Sequence, residues 1–147
     1  MTPEQIIDTL GLQPLPVEGG LYQENLRGDR HASAIYYMLV APQFSRLHRL
    51  TDLEIYVYHA GSAARLLLLY PDGRVERPVL GMDLAAGQRP QVIVPARTWQ
   101  AVETLGAWSL LGTVMSPPYS DDSVTFAEAD SLVADYPAAA GDISRLA

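Results

Sequence analysis

The sequence contains no cysteine in its 147 residues. Disulfide bonds, thiolate metal sites and a cysteine nucleophile are therefore excluded. Because cysteine usage is the signal that separates oxidising from reducing compartments, the redox environment of the protein is not indicated.

Long apolar runs and basic clusters are also missing. The densest apolar run, residues 66–70, has the length of a strand and not the roughly 20 residues that cross a bilayer. The first residues, from Met1 to Ile7, show no basic segment before an apolar one, so no secretion signal is predicted and a cytoplasmic location is expected. A net charge of −7 without a basic cluster argues against nucleic acid or an anionic membrane as partner. We expect a small-molecule ligand or a second copy of the chain.

Familiar catalytic motifs are absent as well. Residues 87–90 lack both the lysine and the glycine spacing of a phosphate-binding loop. Ser33 and Ser45 lie outside any nucleophile-elbow pattern, which argues against covalent catalysis by serine.

What the sequence does contain is short alternating runs. A chain of this length suits one domain, residues 1–147. A short helix is predicted at the start, because Thr2 suits the N-cap, Gln5 completes a capping box and Gly11 suits the end. Further on, Pro71-Asp72-Gly73 favours a hairpin turn. The runs between turns are 34–40, 54–59, 65–70, 74–80, 91–94, 100–103 and 107–115.

Strands at this spacing, without helical patterns between them, predict an all-β sandwich or barrel. The tail returns to helix, with Asp122 or Ser123 as a possible cap and a break at Tyr136-Pro137. Its apolar contacts are expected to be Phe126, Leu132 and Val133.

Alternation along the strands predicts a cavity lining. If Glu54 faces the interior, then so do Tyr56 and Tyr58, since side chains in a strand point to opposite faces in turn. By the same rule Tyr37 shares a face with Ser33 and Ile35. An aromatic lining with a few hydrogen-bonding groups is typical of a small-molecule pocket.

Ordered motifs run from the opening helix nearly to the C-terminus. They are Glu18-Gly19-Gly20 with Tyr22 and Glu24, residues 33–39, Phe44-Ser45 with His48-Arg49, Pro71-Asp72-Gly73, residues 88–95, Thr98-Trp99-Gln100 and Tyr136-Pro137. Together they resemble the cupin-5 family, uncharacterised cupins that have been compared with sugar epimerases and isomerases. The resemblance implies a double-stranded β-helix, or jelly-roll, barrel. It also implies a ligand cavity at the barrel mouth and a homodimer.

The first cupin motif implies a metal site that is reduced in this chain. It expects two histidines one residue apart, then a glutamate, then a glycine seven residues later. His48, Glu54 and Gly61 match, but Leu50 stands at the second histidine position.

The second cupin motif is reduced as well. Pro95 matches, Gln100 stands at the last ligand position, and Arg97 replaces a glycine. If a divalent metal binds, its ligands are His48, Glu54 and Gln100. This set is weak because transition metals prefer imidazole to a neutral amide, so no resident metal is expected.

The first functional hypothesis is an isomerase or epimerase that acts on a polar, sugar-like substrate by metal-free acid–base chemistry. In it His48, paired with Glu54, is the base or orients the base, Tyr56 or Tyr58 is the acid, and Gln100 with Arg46 or Arg97 holds the enolate oxygen. The catalytic candidates are thus His48, Glu54, Tyr56 and Tyr58. The candidate substrate-binding residues are Arg46, Tyr37, Arg97, Trp99, Gln100 and Glu18.

Two other functions stay open: a metal-dependent lyase or oxygenase with the reduced ligand set, and a non-catalytic ligand-binding module. Purely structural roles stay open too, such as a structural ion pair for Glu54, packing for Trp99 and a turn for Glu18. A homodimer would cover a strand at the barrel edge, and residues 34–40 are candidates for that strand.

Overall fold

The computed structural model describes residues 1–27 and 30–147. In this part of the chain there are three α-helices, α1 (Pro3–Leu10), α2 (Ala129–Asp135) and α3 (Ala140–Leu146). The strands are β1 (Gln13–Pro14), β2 (Leu21–Arg27), β3 (Ser33–Val40), β4 (Phe44–Leu50), β5 (Leu53–Gly61), β6 (Ala64–Leu69), β7 (Val75–Glu76), β8 (Val79–Leu80), β9 (Gln91–Val94), β10 (Trp99–Thr104), β11 (Trp108–Ser116) and β12 (Val124–Phe126).

The strands form two antiparallel sheets that pack face to face. One sheet has the order β1-β2-β3-β11-β5-β9, and the other has the order β12-β4-β10-β6-β7 with β8 on β6. A single buried cluster draws residues from both sheets, including Tyr37, Tyr56, Leu66, Leu68 and Leu111. Each such side chain contributes about 1.5–3 kcal/mol when it leaves water. The predicted all-β barrel is confirmed.

Helices cover the outer faces of the sheets. On one side Ile6 and Leu12, from α1 and the residues that follow it, pack against Met38 of β3. On the other side α2 and α3 pack through Leu132 and Ile143 against the outward side chains of the second sheet. The helices thus cover the outer faces, and the inner faces of the two sheets enclose the core and the cavity.

The opening helix forms as its sequence predicts. The backbone N–H of Gln5 donates to Thr2 Oγ1 at 3.3 Å, and the N–H of Thr2 donates to the Gln5 side chain at 2.9 Å. Gly11 ends the helix with φ at 65°, a left-handed conformation that glycine adopts without a Cβ penalty.

Several predicted boundaries were wrong. β2 and β4 were not predicted, and run 74–80 is two short strands. Phe126 lies on β12 and not on a helix, because 124–126 pairs with β4. Helix α2 follows Glu128, so Asp122 and Ser123 do not cap it, whereas the break at Tyr136-Pro137 is confirmed.

The strand that was proposed to form the dimer edge does not lie at the edge of its sheet. β3 lies between β2 and β11, so residues 34–40 present no open edge. The outer strands of the first sheet are β1 and β9. A homodimer stays a prediction.

No helix among the described residues is long and apolar enough to cross a membrane.

Candidate functional site

A cavity of about 440 Å³ lies between the two sheets, at the end where β2, β4 and β12 meet. Its wall combines aromatic and aliphatic side chains with a small set of ionisable groups. The strand residues that line it are Tyr22, Glu24, Arg27, Ser33, Ile35, Tyr37, His48, Leu50, Glu54, Tyr56, Thr113, Met115, Val124 and Phe126. Loops add Leu15, Pro16, Val17, Glu18, Tyr119 and Asp121. Such a lining suits a small polar ligand.

His48 is a buried imidazole with a defined tautomer. Its side chain is 2% exposed, and Nδ1 lies 2.7 Å from the backbone carbonyl of Arg46. Because a carbonyl only accepts, Nδ1 carries the proton of the neutral ring, and Nε2 carries the lone pair. Nε2 lies 3.9 Å from Glu18 Oε1.

Glu18 reaches the same place from the loop before β2. Ser45 Oγ donates to Glu18 Oε1 at 2.8 Å, and the Glu18 carbonyl accepts from the Arg46 N–H at 2.8 Å. The residue before it, Val17, is 66% exposed and has φ at 68°, a strained conformation for a β-branched residue. Glu18 is therefore held by both its backbone and its carboxylate.

Glu54, on β5, is the buried acid of the cavity. It is 7% exposed, and Gln100 Nε2 donates to Oε2 at 2.9 Å. Burial raises the pKa of Glu54 from 4.5 to about 7. The electrostatic interaction with His48 lowers the Glu54 pKa, and the negative charge of Glu18 raises it. Hydrogen bonds from Thr113 and Gln100 lower it. The carboxyl group can therefore be either neutral or ionised near neutral pH.

Tyr37 and Tyr56 supply two buried hydroxyl groups to the wall. Burial, followed by the charge of Glu18 for Tyr37 and of Glu54 for Tyr56, raises the pKa of each phenol well above 10.0. The Tyr37 hydroxyl donates to the Gly19 carbonyl at 2.9 Å, which ties β3 to the Glu18 loop. Both hydroxyl groups keep their protons, and that of Tyr56 interacts with Glu54.

Tyr58 does not line the cavity, although alternation predicted that it would. Its ring is half-buried against the core between the sheets, and its hydroxyl donates to the Gly61 carbonyl at 2.6 Å. In the pairing of β5 with β11, Leu110 faces Ala60 and Leu111 faces Tyr58, so the register skips His59. This bulge lies beyond Tyr58, so the ring keeps the inward face that alternation predicts, but it packs into the core further along β5 and away from the cavity.

Three further candidates lie outside the main cavity. Arg46 lines an adjacent depression with Gly19, Gly20 and Phe44, and its guanidinium lies 5.4 Å from the centre of the Phe126 ring. Arg97 is exposed, and its N–H donates to the Leu50 carbonyl at 2.8 Å.

Trp99 is the third of these. It packs against the apolar cluster that α2 and α3 form with the second sheet, and the Arg49 guanidinium lies 4.6 Å from the centre of its ring. Gln100 does not line the cavity, and its side chain acts on it only by donating a hydrogen bond to Glu54.

Sequence reasoning missed the aromatic and charged groups at the cavity mouth. Tyr22, Arg27 and Phe126 lie on strands that were not predicted, and Tyr119 and Asp121 lie in the loop before β12. Only the pairing of β2 with β3 and of β12 with β4 brings these segments together. No local pattern signals such contacts.

The described residues do not fit the metal site that the cupin resemblance implies. No three His, Cys, Asp or Glu side chains in residues 1–27 and 30–147 are grouped so that they could hold an ion. The side-chain N–H of Gln100 donates to Glu54 and thus restrains the carboxyl group that would have to bind the ion. Leu50, at the second histidine position, presents hydrocarbon to the cavity. No catalytic step is therefore assigned to a metal.

Comparison with solved structures places the whole chain among close structural neighbours. The protein SO0799 from Shewanella oneidensis matches with a TM-score of 0.93 and 31% identity, over 100% of this chain and 98% of its own. A hypothetical protein from Leishmania major matches with a TM-score of 0.91 and 25% identity, over 100% of this chain and 99% of its own. Oxalate decarboxylase from Bacillus subtilis is more distant, with a TM-score of 0.63, 16% identity and coverage of 92% of this chain and 37% of its own. That distant match supports the shared barrel fold alone.

Sequence comparison gives the same grouping. A curated relative, Uncharacterized protein YML079W of Saccharomyces cerevisiae, is 26% identical over 117 residues, which cover 76% of this chain. This chain spans 58% of the length of that relative. A family model described as Cupin superfamily (DUF985) matches residues 4–127. The chain therefore belongs to the cupin superfamily, in the Cupin_5 (DUF985) family.

Proposed function

We propose that the protein is an isomerase or epimerase that moves a proton next to the carbonyl group of a small, polar, sugar-like molecule. One observation carries the proposal: His48 and Glu54, both almost fully buried, line the same cavity, and the pKa of Glu54 is about 7. A carboxyl group whose pKa lies near the operating pH both donates and accepts protons readily. Two such groups around one ligand suit proton removal and return.

His48 is the base in this proposal. The Arg46 carbonyl fixes the Nδ1 proton, so Nε2 is the atom that accepts a proton from the substrate carbon. The electron pair of the broken C–H bond moves into an enolate. Glu18, 3.9 Å from Nε2, stabilises the imidazolium that forms. The carboxylate beside His48 Nε2 is thus Glu18, in place of the Glu54 partner expected from the sequence.

Glu54 and Tyr56 act on the enolate oxygen, whereas His48 acts on the carbon. In its neutral form, Glu54 donates a hydrogen bond to the enolate oxygen, and Tyr56 supplies a second donor. In an isomerisation, Glu54 protonates the enolate oxygen and takes the proton of the neighbouring hydroxyl group, the carbonyl forms at that carbon, and His48 returns its proton to the former carbonyl carbon. In an epimerisation, Glu54 delivers its proton to the original carbon from the opposite face, and His48 and Glu54 then exchange protons with solvent. Gln100 keeps the Glu54 carboxyl group in place throughout.

Exchange of substrate hydrogen with deuterated water tests the proposal. A panel of aldoses, ketoses and amino sugars is incubated with the protein, and loss of the proton signal next to the carbonyl is followed by NMR. We expect exchange with the wild-type protein, loss with His48→Asn, and retention with His31→Asn, which changes an exposed histidine outside the cavity.

The outcome separates catalysis from binding alone. Thermal unfolding of each variant verifies that a loss of exchange is not a loss of fold. Saturable binding by the wild-type protein without exchange on any member of the panel would overturn the isomerase proposal and favour a non-catalytic binding module.

A further inference from the structure

The charges that line the cavity are strongly unequal. Among the described residues, four carboxyl side chains line it, those of Glu18, Glu24, Glu54 and Asp121, against the single guanidinium of Arg27. His48 adds a positive charge only when it is protonated. Even with Glu54 neutral, three carboxylates face one arginine, so the wall carries a negative potential.

The arginine of the lining is poorly placed to hold an anion. Arg27 is ion-paired with Glu24 at 3.2 Å, and its side chain is 87% exposed. Its charge is therefore matched by a carboxylate and screened by solvent. The chain contains no lysine, so the basic side chains that usually bind phosphate are restricted to arginine. The rest of the lining, within residues 1–27 and 30–147, adds no further arginine.

Glu18 is the carboxylate best placed to meet a ligand. Its side chain lines the cavity, and Ser45 Oγ and His48 Nε2 both approach one of its two carboxylate oxygens, Oε1. The charge of Glu18 acts across the cavity, because it contributes to raising the pKa values of Tyr37, Glu54, Tyr56 and Tyr119, in each case after the larger effect of burial.

Aromatic rings complete the surroundings. Tyr22, Tyr37, Tyr56 and Tyr119 line the same cavity as the carboxylates, whereas the Phe126 ring is already approached by the Arg46 guanidinium. A ring face attracts a cation and repels an anion, with a larger effect where water is excluded. Carboxylates and ring faces thus favour the same sign of ligand charge.

We infer that the cavity takes a small polar molecule with a protonated amine, of the amino-sugar type, and rejects carboxylate and phosphate ligands. This inference rests on the proposed function for the identity of the site, and it names the substrate class. Recognition comes from Glu18 inside the cavity, from Asp121 at its mouth, and from the tyrosine walls.

Ligand-observed NMR with matched sugars tests this inference without any turnover. D-glucosamine, D-glucose and D-glucose 6-phosphate share a ring and differ in charge, and a wider set of small ammonium, neutral and carboxylate compounds removes dependence on that ring. We expect the ammonium compounds to bind most tightly and the phosphate and carboxylate compounds to bind least.

Variants assign the selectivity to the cavity. Glu18→Gln is expected to weaken binding of the ammonium compounds by about tenfold, since a charge a few ångströms away is lost. Asp121→Asn, on an exposed turn, gives a smaller loss and is available if the first variant folds poorly. Glu128→Gln removes one negative charge where the side chain makes no capping bond, and it should change nothing.

The inference fails if anionic compounds bind as well as ammonium compounds, if no ammonium compound binds at millimolar concentration, or if Glu128→Gln weakens binding as much as Glu18→Gln. These outcomes are distinct from failure of the proposed function. An absence of deuterium exchange would overturn the isomerase and leave the charge selectivity intact.

Discussion

The side-chain amide of Gln100 donates a hydrogen bond of 2.9 Å to Glu54 Oε2, and both residues are buried. The two side chains come from strands of different sheets, β10 and β5, so the bond joins the sheets at the base of the cavity. It also opposes the rise in the Glu54 pKa, because it stabilises the ionised form.

Gln100→Leu should therefore raise the pKa of Glu54 further above 7. The amide donor is lost while burial persists, so the charged form becomes less favourable. Gln100 Oε1 has no hydrogen-bond partner among the described residues, so the loss of stability should be small. Titration of the Glu54 carboxyl carbon by NMR measures the shift, with the exposed Gln91→Leu as control. An unchanged or lowered pKa would show that Gln100 does not act on Glu54.

The dependence of stability on pH should carry a contribution from Glu54. Its pKa is about 7 in the folded protein against an ordinary 4.5, so the folded state binds the proton more tightly between these values. This contribution is fully present below pH 4.5 and is lost as the pH rises through 7.

Comparison of the wild-type protein with Glu54→Gln isolates that contribution. The free energy of unfolding of the wild type, relative to the variant, should fall by about 3 kcal/mol between pH 4.5 and about pH 8. Urea unfolding across this range provides the measurement. A difference that stays constant with pH would contradict the raised pKa.

Tyr56→Phe and Tyr58→Phe form a matched pair two residues apart on β5. Only Tyr56 lines the cavity, whereas the Tyr58 hydroxyl binds the Gly61 carbonyl. Tyr56→Phe should slow deuterium exchange by about a hundredfold, since a hydrogen-bond donor to the enolate oxygen is lost. Tyr58→Phe should leave the exchange rate close to that of the wild type. Equal effects of the two substitutions would contradict the assignment of Tyr56.

Gly20→Ala should destabilise the protein more than Gly73→Ala. Both glycines have positive φ, 76° and 91°, so both substitutions incur the same kind of backbone strain. A Cβ at Gly20 would lie 2.8 Å from the Tyr37 hydroxyl and 2.9 Å from Leu39, whereas nothing lies within 4 Å at Gly73. We expect an excess cost of about 1–3 kcal/mol for Gly20→Ala, from urea unfolding. Equal losses of stability would show that the Tyr37 and Leu39 side chains move aside without a measurable energetic cost.

The placement of Glu54, Tyr56 and Tyr37 was predictable from sequence because their strands alternate regularly. β4 was not predicted, since it carries a bulge: Gln100 faces His48 while Val102 faces Ser45. Two residues of β4 therefore oppose one residue of β10, and the pattern of period two is lost.

The partner of His48 was not predictable by any local rule. Glu18 lies thirty positions earlier in the chain, in a loop, and only the bond from Ser45 and the contact of its backbone with Arg46 bring it there. The sequence left Glu18 either in a ligand-binding loop or in a turn, and it could not indicate which side chain Glu18 would contact. The long-range pairing of β2 with β3 and of β12 with β4 determines the rest of the mouth.

Val17 adopts a left-handed backbone conformation while largely exposed, directly before Glu18. A glycine at this position would relax the backbone, so the chain retains a locally unfavourable residue where an easier one exists. A stiff approach limits the orientations of the next carboxylate, and the entropy lost on ligand capture falls accordingly. Under the proposed binding role of Glu18, a glycine in place of Val17 would therefore stabilise the loop and weaken ligand affinity at the same time.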